Sequence, residues 1–305
     1  MATPMRSTDF RSVVEPLLNE VFDGIYEQRD DEWKQVCKER QGIKRAYHEE
    51  PVLYGFNAAP EVPDGDPITY GQGGELFRQR YPYKVYGLAF ALTRILVEDG
   101  DHISIGKIYT THLAQSMIET KETLVAQIFN RAFNTSYPGG DGKPMNDAAH
   151  PIANGTFSNL LTTAAALSQT SAEQMLIQIR SAIDNNGKKI RLKSVQLVVS
   201  PSNMLQGEVI VNSALRTGAA NNDINPIKSK NLLSKGVATL SRITSTKAWW
   251  IQNSNVEVGV QLMMRRSLQK AMEGDFETDS MRYKSTERYW PSWTDPRDNW
   301  GTPGL

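Results

Sequence analysis

Residues 43–98 predict a two-stranded excursion whose returning strand is apolar on both faces. The outgoing strand alternates Val52, Tyr54 and Phe56, and the segment before the return is rich in proline and glycine. The returning strand carries two apolar rows, Tyr81, Tyr83, Val85 and Ala89 on one face and Tyr86, Leu88, Phe90 and Leu92 on the other. An isolated hairpin is barely stable in water. Either the protein's own domain or another copy of the protein must therefore cover this segment.

A long helix is predicted directly after this excursion, over residues 103–133. Its apolar residues follow the 3.6-residue period, and the segment contains no proline. About thirty residues at ~1.5 Å each make a rod of roughly 45 Å. Before the excursion, residues 1–42 indicate an arm plus a helix, and the charge run from Glu27 to Arg40 predicts an amphipathic helix with one solvated side.

From about residue 170 the pattern becomes α/β-like. The segment Ser171–Gln174 is typical of a capping box, and Val195–Val199 of a buried strand. Ser200 and Pro201 then open a further helix, with a cap followed by proline at the first helical position. Short strands are predicted at 237–243, 247–252 and 258–265.

The charge balance argues against a generic nucleic-acid binder. The 305 residues contain 34 Lys and Arg and 34 Asp and Glu, so the formal charge is zero, whereas such binders carry a clear positive excess. The single cysteine, Cys37, excludes an intramolecular disulfide framework and suits a reducing compartment. The N-terminus lacks the apolar segment of a secretory signal. The longest apolar stretch, Tyr86–Val97, is far too short to span a membrane.

No catalytic, metal or cofactor motif rises above chance. The four histidines, His48, His102, His112 and His150, have no zinc-ligand spacing. Ser267 and Lys270 match the Ser-x-x-Lys pattern of acyl-transfer enzymes, but the partner motifs are absent. We therefore predict that the protein is not an enzyme and holds no cofactor.

Two charged rows near the C-terminus form the most informative charge pattern. Acidic residues occupy alternate positions from Glu273 to Asp279, and basic residues follow from Arg282 to Arg288. Alternate side chains of a strand share a face, so one acidic row is followed at once by one basic row. The pattern fits a solvated strand face. It also fits contacts in which the acidic row of one subunit meets the basic row of the next and sets their register.

Several ordered sequence blocks resemble one known family, over roughly residues 33–304. The first blocks are Asn130-Arg131-Ala132-Phe133-Asn134, Gly139-Gly140-Asp141-Gly142, His150-Pro151 and Gly155-Thr156-Phe157-Ser158-Asn159. Later blocks are Val198-Val199-Ser200-Pro201, Asn221 to Ser229, Met272 to Asp279, Trp293 to Arg297 and Gly301 to Gly304. Together they resemble the major capsid proteins of tailed bacteriophages, of the Hong Kong 97 type, in their Mu-like major head subunit branch.

This resemblance implies an α+β Hong Kong 97-type capsid fold. Residues 1–42 would be an N-terminal arm and helix, and residues 43–98 an extended loop that lies over the adjacent subunit. Residues 99–170 would form a peripheral domain with the spine helix 103–133. Residues 171–264 would form the axial domain, and residues 265–305 the return strand of the peripheral domain.

The function implied is self-assembly through pentamers and hexamers into the icosahedral head of a phage or prophage. The alternative is an encapsulin-like nanocompartment shell with the same fold. Expected partners are other copies, portal, scaffold or decoration proteins, and enclosed double-stranded DNA bound without sequence specificity, but no membrane. The protein would be made in the bacterial cytoplasm and reside in the virion. The residues predicted to contact other subunits are Tyr83, Val85, Phe90, Glu273, Asp275, Glu277, Asp279, Arg282, Lys284 and Arg288.

Overall fold

The computed structural model contains mixed helices and strands. It describes residues 7–28, 31–41, 45–93, 95, 102–216, 223–254, 256, 258–275 and 280–305. The α-helices are α1 (Ser7–Gln28), α2 (Glu32–Val36), α3 (His102–Asn130), α4 (Gln169–Arg180), α5 (Met204–Asn212) and α6 (Pro226–Ser229). The first six strands are β1 (Lys38–Arg40), β2 (Tyr47–Tyr54), β3 (Gly74–Pro82), β4 (Lys84–Leu92), β5 (His150–Ile152) and β6 (Gly155–Phe157). The remaining strands are β7 (Ser194–Val199), β8 (Gly236–Thr239), β9 (Trp249–Asn253), β10 (Val260–Gly274), β11 (Met281–Trp293) and β12 (Asn299–Thr302).

The first large sheet has the strand order β1-β10-β11-β4. The long strands β10 and β11 form an antiparallel hairpin, and β4 pairs antiparallel with β11 from Lys84, opposite Tyr289, to Leu92, opposite Met281. Along β11 the side chains alternate between buried and more exposed. The buried row packs towards α1 and α3, with Tyr283 in a core that also contains Phe22 and Met117.

The second sheet has the order β12-β9-β7-β8 and lies between two cores. Neighbouring residues of a strand point to opposite faces, and both faces of β9 are covered. Trp249 packs with Met175 and Ile179 of α4, whereas Trp250 packs with Phe129 of α3. Strand β7 lies beside β9, and every one of its residues is buried. Burial on both faces explains why the sequence of β7 is mostly apolar.

The β2–β3 hairpin forms a separate two-stranded arm, which we call the arm together with its connection Gly55–Gly73. This differs from the excursion predicted for residues 43–98. The strand that returns beside β2 is β3, while β4 leaves the arm and joins β11 in the first sheet. The apolar character of β4 on both faces had suggested one continuous returning strand. The chain instead passes from arm to sheet at Tyr83.

The N-terminal region also differs from its prediction. The charge run from Glu27 to Arg40 forms the short α2 and then β1, which pairs in parallel with β10. Its apolar residues Trp33, Val36 and Cys37 are buried in the core shared with α3. Helix α1 continues through Pro16. Burial against α3 and β10 therefore outweighs the local helical pattern of the charge run.

Several predicted boundaries shift in the structure. Helix α3 ends at Asn130 rather than 133, and residues 131–133 form a turn in which the Ala132 amide bonds to the Phe129 carbonyl. The capping box of α4 uses Ser168 and Ser171, so the helix begins before the predicted cap. The boundary expected between residues 264 and 265 falls inside β10, and β12 joins the second sheet beside β9.

Candidate functional site

The connection of the arm is the most exposed part of the described chain. Every residue from Gly55 to Gly73 is exposed, including Ile68 at 78% and Tyr70 at 98%. A turn closes its end, where the Asp66 amide donates to the Pro63 carbonyl and Gly65 has φ +89°. Apolar side chains without cover are typical of a surface that meets another molecule.

The root of the arm is held firmly on the same chain. Asn185 Nδ2 donates to the Leu53 carbonyl over 2.8 Å, Asn186 Nδ2 donates to the Gly55 carbonyl, and Lys188 Nζ reaches the Phe56 carbonyl. None of these bonds reaches past Phe56. The arm is therefore anchored at its base and open at its end.

A glycine-rich loop supports the other side of this root. A Cβ on Gly139 would lie 2.2 Å from Trp293 Cη2, and one on Gly140 would lie 2.9 Å from the Arg78 carbonyl oxygen of β3. Larger residues would displace one of these neighbours. Gly139 and Gly140 thus let this loop pack closely against Trp293 and the arm.

A buried polar cluster holds this same loop in place. His150 Nδ1 lies 2.6 Å from Asp141 Oδ2, and His150 Nε2 lies 3.1 Å from Asn159 Oδ1. Asn159 Nδ2 faces three backbone carbonyl oxygens, those of Met145, Pro296 and Asn299, at 2.7–3.0 Å. The histidine and its partners therefore join segments distant in sequence, and their hydrogen bonds account for the motif residues.

The outer face of the first sheet is an open trough beside a basic row. Strand pairing places Val85, Gly87, Ala89 and Ala91 of β4 next to Arg288, Thr286, Lys284 and Arg282 of β11. The β4 residues on this face are small, apart from Val85, which is 57% exposed. We call this surface, with the facing residues of β10, the basic trough. Near Ala271 it includes a cavity of about 420 Å³.

The structure brings the start of the acidic row and the start of the basic row together within one chain. Glu273 lies directly opposite Arg282 in the β10–β11 hairpin, and the Arg282 guanidinium forms an ion pair with Asp275. An acidic row followed by a basic row can therefore pair across a hairpin of the same chain, and a contact of this part of the acidic row with a second subunit stays a prediction. Glu277 and Asp279 lie outside the described residues.

Lys284 and Arg288 are placed differently from Arg282. Lys284 is exposed and faces Ala89 and Ala271, and Arg288 faces Val85 and Arg266. Within the described ranges, no carboxylate pairs with Lys284 or Arg288. These two residues remain candidates for contact with another molecule, as does the exposed Val85.

Tyr83 and Phe90 are covered by the chain itself. Tyr83 is buried with Tyr81 and Met263 on the outer face of the sheet, near the root of the arm. Phe90 packs against Tyr109 and Tyr283, with ring centroids 5.7 and 5.6 Å apart. Both side chains were predicted to contact another subunit because an apolar strand needs cover. The chain itself provides that cover.

A buried ion pair that the sequence did not reveal connects α1, α3 and β11. Lys121 Nζ lies 3.2 Å from Glu287 Oε1 and 2.6 Å from Tyr26 Oη, and the Tyr26 hydroxyl also donates to Glu287. The side chains of Lys121 and Glu287 are only 7% and 2% exposed. Burial, followed by the Glu287 charge, raises the pKa of Tyr26 far above its usual value. The hydroxyl therefore stays protonated and can donate.

A carboxyl group on α3 lies at the junction with α2. Glu122 Oε2 accepts from the Trp33 amide over 3.1 Å, while Arg242 joins Glu32 and Glu119 beside it. Burial, and then the nearby charge of Glu32, raises the pKa of Glu122 to about 7. This junction therefore changes its charge near neutral pH.

No group of three or more His, Cys, Asp or Glu residues that could hold a metal ion occurs among the described residues. Ser267 is exposed on β10, and Lys270 is paired with Asp23 of α1. Over the same part of the chain, no helix has both the length and the apolarity to cross a bilayer.

Comparison with known proteins identifies the family. The profile of a family described as phage capsid protein matches residues 79–297, more than half of the chain. The chain belongs to this phage capsid protein family. It is thus a structural protein of the virion, and it assembles with copies of itself. No curated protein sequence matches it.

Solved capsid structures share the fold of this capsid protein. The capsid of cyanophage P-SCSP1u has a TM-score of 0.55 and 11% identity, covering 88% of this chain and 86% of its own. The mature capsid of bacteriophage PhiM1 has a TM-score of 0.53 and 12% identity, covering 90% and 87%. A virus-like particle from Pyrococcus furiosus has a TM-score of 0.52 and 11% identity, covering 93% and 97%. The predicted Hong Kong 97-type fold is confirmed, while the Mu-like branch stays a prediction.

Proposed function

We propose that this capsid protein is the repeating subunit of an icosahedral phage head, built from pentamers and hexamers around double-stranded DNA. The observation that carries the proposal is the arm, whose connection Gly55–Gly73 is exposed throughout while its root is anchored. An anchored arm with apolar side chains gains burial only on a neighbouring molecule. In a shell of identical subunits, that neighbour is another copy.

The proposed arrangement follows the expected division of the chain. The arm within residues 43–98 would overlap the adjacent subunit, and α3 would be the spine of the peripheral domain. Within residues 171–264, the part that ends with β9 would form the axial domain around the symmetry axes, because β10 begins at Val260 and belongs to the first sheet. This axial segment contains α4, α5 and the exposed apolar residues Leu205 and Val209 of α5.

Further partners belong to the same proposal. A head that takes up DNA needs a portal for its entry, and scaffold or decoration proteins are compatible with the fold. The contact with DNA would be weak and without sequence specificity, because the chain carries equal numbers of acidic and basic residues. Synthesis in the bacterial cytoplasm suits its single, buried cysteine.

Expression of the chain with the head genes of its source, followed by electron microscopy, tests this proposal. We expect closed shells with five-fold and six-fold clusters, and nuclease-resistant DNA inside mature particles. A chain that stays monomeric at high concentration with these partners present would contradict the proposal.

The second candidate is a nanocompartment shell with the same fold. The alignment with the virus-like particle from Pyrococcus furiosus covers 93% of this chain and 97% of the other chain, which supports this second candidate. The contents of purified particles distinguish the two functions. Genome-length DNA supports the phage head, whereas a protein cargo without DNA supports the nanocompartment.

A further inference from the structure

A cavity of about 360 Å³ lies between the end of β6, the end of α4 and β12. Its volume is within the range of small-ligand pockets. Aromatic and aliphatic side chains, among them Phe157, Ile183 and Trp300, form one part of its lining, and polar side chains that include Lys189 form the other. None of the described residues around it is acidic. We call it the Trp300 cavity.

Trp300 brings to this cavity a hydrogen-bond donor that has no acceptor. The residue is buried, and its Nε1 makes no hydrogen bond within the described chain. In the neighbouring strand β9, the indole of Trp249 donates to the Ala165 carbonyl over 3.1 Å and that of Trp250 to Asn146 Oδ1 over 3.0 Å. Buried donors are normally satisfied. An orphan N–H on a residue that lines a cavity therefore indicates an acceptor from outside the chain.

Arg297 lies behind the wall of the cavity and adds a second orphan donor. Its Nε donates to the Ile183 carbonyl over 2.8 Å, and its Cζ lies 4.1 Å from the ring centroid of Phe157. Both of these contacts belong to the lining. Asp295 Oδ1 pairs with Nη1 over 3.3 Å, whereas Nη2 is buried and has no acceptor in the ranges that the structure describes. The guanidinium therefore supports the wall while its charge is already balanced.

Lys189 brings an unpaired charge to the rim of the cavity. It is exposed, and its Nζ donates to the Ser181 carbonyl over 2.7 Å. Asp184, the nearest acidic residue along the chain, pairs with Lys188 instead, at 3.8 Å. Over the part of the chain that the structure describes, no carboxylate pairs with Lys189. The cavity therefore has one uncompensated positive charge.

These groups together select one class of ligand. The orphan donors need an acceptor, the single ammonium favours one negative charge, and the aromatic and aliphatic walls favour an apolar body. A carboxylate accepts hydrogen bonds through both oxygens, and charge strengthens them. Water would satisfy the donors but would leave Lys189 unpaired. A phosphate dianion would add a charge without partner, and no arginine among the described lining residues supplies a bidentate fork.

We propose that the Trp300 cavity binds a monocarboxylate with an apolar body, held by the Trp300 indole N–H and the Lys189 ammonium. The apolar body would lie against Phe157 and Ile183. The carboxylate comes either from a free acid or from an Asp or Glu side chain of a partner protein, since both present the same group. This inference goes beyond the proposed function and does not depend on it, because one unassembled subunit contains the whole cavity.

The cavity also touches the base of the hairpin that anchors the arm. Ile183 and Lys189 face each other across this hairpin, and both line the cavity. At the tip of the hairpin, Asn185 and Asn186 donate to backbone carbonyls at the root of the arm. A bound carboxylate would therefore hold the hairpin closed at its base and stabilise the anchor of the arm.

Titration of unassembled subunits with benzoate tests the site. Benzamide is the matched control, because it has the same ring without the charge. The readout is the indole N–H signal of Trp300 in proton–nitrogen correlation spectra, identified by its loss in Trp300→Phe. We expect benzoate to move this signal downfield with a dissociation constant of roughly 1 mM or lower. Benzamide should bind about tenfold more weakly, because it lacks the charge-assisted bonds.

Lys189→Gln is the variant that decides the role of the charge, since the residue is exposed and its loss should leave the fold intact. It should weaken benzoate binding about tenfold. Arg180→Gln removes an exposed cation at the end of α4, outside the cavity, and should leave the affinity unchanged. An unmoved Trp300 signal in the wild-type subunit, equal affinities for benzoate and benzamide, or equal weakening by the two variants would overturn the inference.

Two further measurements identify the source of the carboxylate and its effect on the arm. An acetylated and amidated Ala-Glu-Ala peptide that binds more tightly than benzoate, with Ala-Gln-Ala inactive, supports the site with a partner protein as its source. Benzoate binding without peptide binding supports the site with a free acid as its source. Benzoate should also slow amide hydrogen exchange over residues 183–189 several-fold, whereas benzamide should not. Binding without slower exchange would refute the link to the arm.

Discussion

Replacing Lys121 with methionine should destabilise the subunit strongly. The change keeps the length of the side chain but removes the ammonium group that lies 3.2 Å from Glu287 Oε1. Glu287 would keep the Tyr26 hydroxyl as a donor, while its Oε2 already has no partner among the described residues. Removing one member of a buried pair typically costs about 3–5 kcal/mol. We therefore expect the free energy of unfolding to fall by about 3–5 kcal/mol, because the Glu287 carboxylate would stay buried without its cation.

Urea unfolding of unassembled subunits measures this loss, with circular dichroism and tryptophan fluorescence as parallel probes. Lys107→Met is the matched control, since Lys107 is exposed on the same helix. Replacing all three members, with Tyr26→Phe and Glu287→Leu added, should recover most of the loss. A loss below about 1 kcal/mol, or a triple variant no more stable than Lys121→Met, would refute the reasoning.

Three further predictions concern other buried groups. Burial raises the pKa of Glu122 to about 7. Its contribution to the free energy of unfolding should therefore fall as the pH rises from about 5 to 7. Glu122→Gln should flatten this pH dependence, as measured by urea unfolding. Gly259→Ala should lower the free energy of unfolding by about 1–3 kcal/mol, because the new Cβ would lie 2.1 Å from Asp298 Cγ. The control Gly24→Ala has open space in α1 and should not destabilise the fold. Equal effects of the two changes would contradict this prediction. Asn159→Asp should lower the melting temperature more than Asn159→Ala, since a carboxylate oxygen would then face three carbonyl oxygens.

The local elements of this fold could be predicted from the sequence, but their partners could not. The apolar run at Val195–Val199 indicated a buried strand, and the periodicity over 103–133 indicated a long helix, because both signals lie within the segment itself. The pairing of β4 with β11 joins residues that are about two hundred positions apart. Periodicity shows which face of a strand is apolar, not which strand will cover it.

The same limit applies to the candidate site. The direct succession of acidic and basic rows in residues 273–288 could have indicated the hairpin that pairs Glu273 with Arg282. Lys121 and Glu287 are 166 positions apart and neither belongs to a motif. No signal in the sequence singles them out, because a lysine in a helix and a glutamate in a strand are usually exposed.

The alternation along β11 also constrains how this chain can change by inheritance. Its buried row includes Tyr283 and Tyr289, and its open row includes Lys284 and Arg288. Insertion or deletion of one codon would exchange the two rows beyond that point, placing cations in the core and tyrosines outside. Stability and recognition would then fail together. Variation in this strand should therefore proceed by substitution.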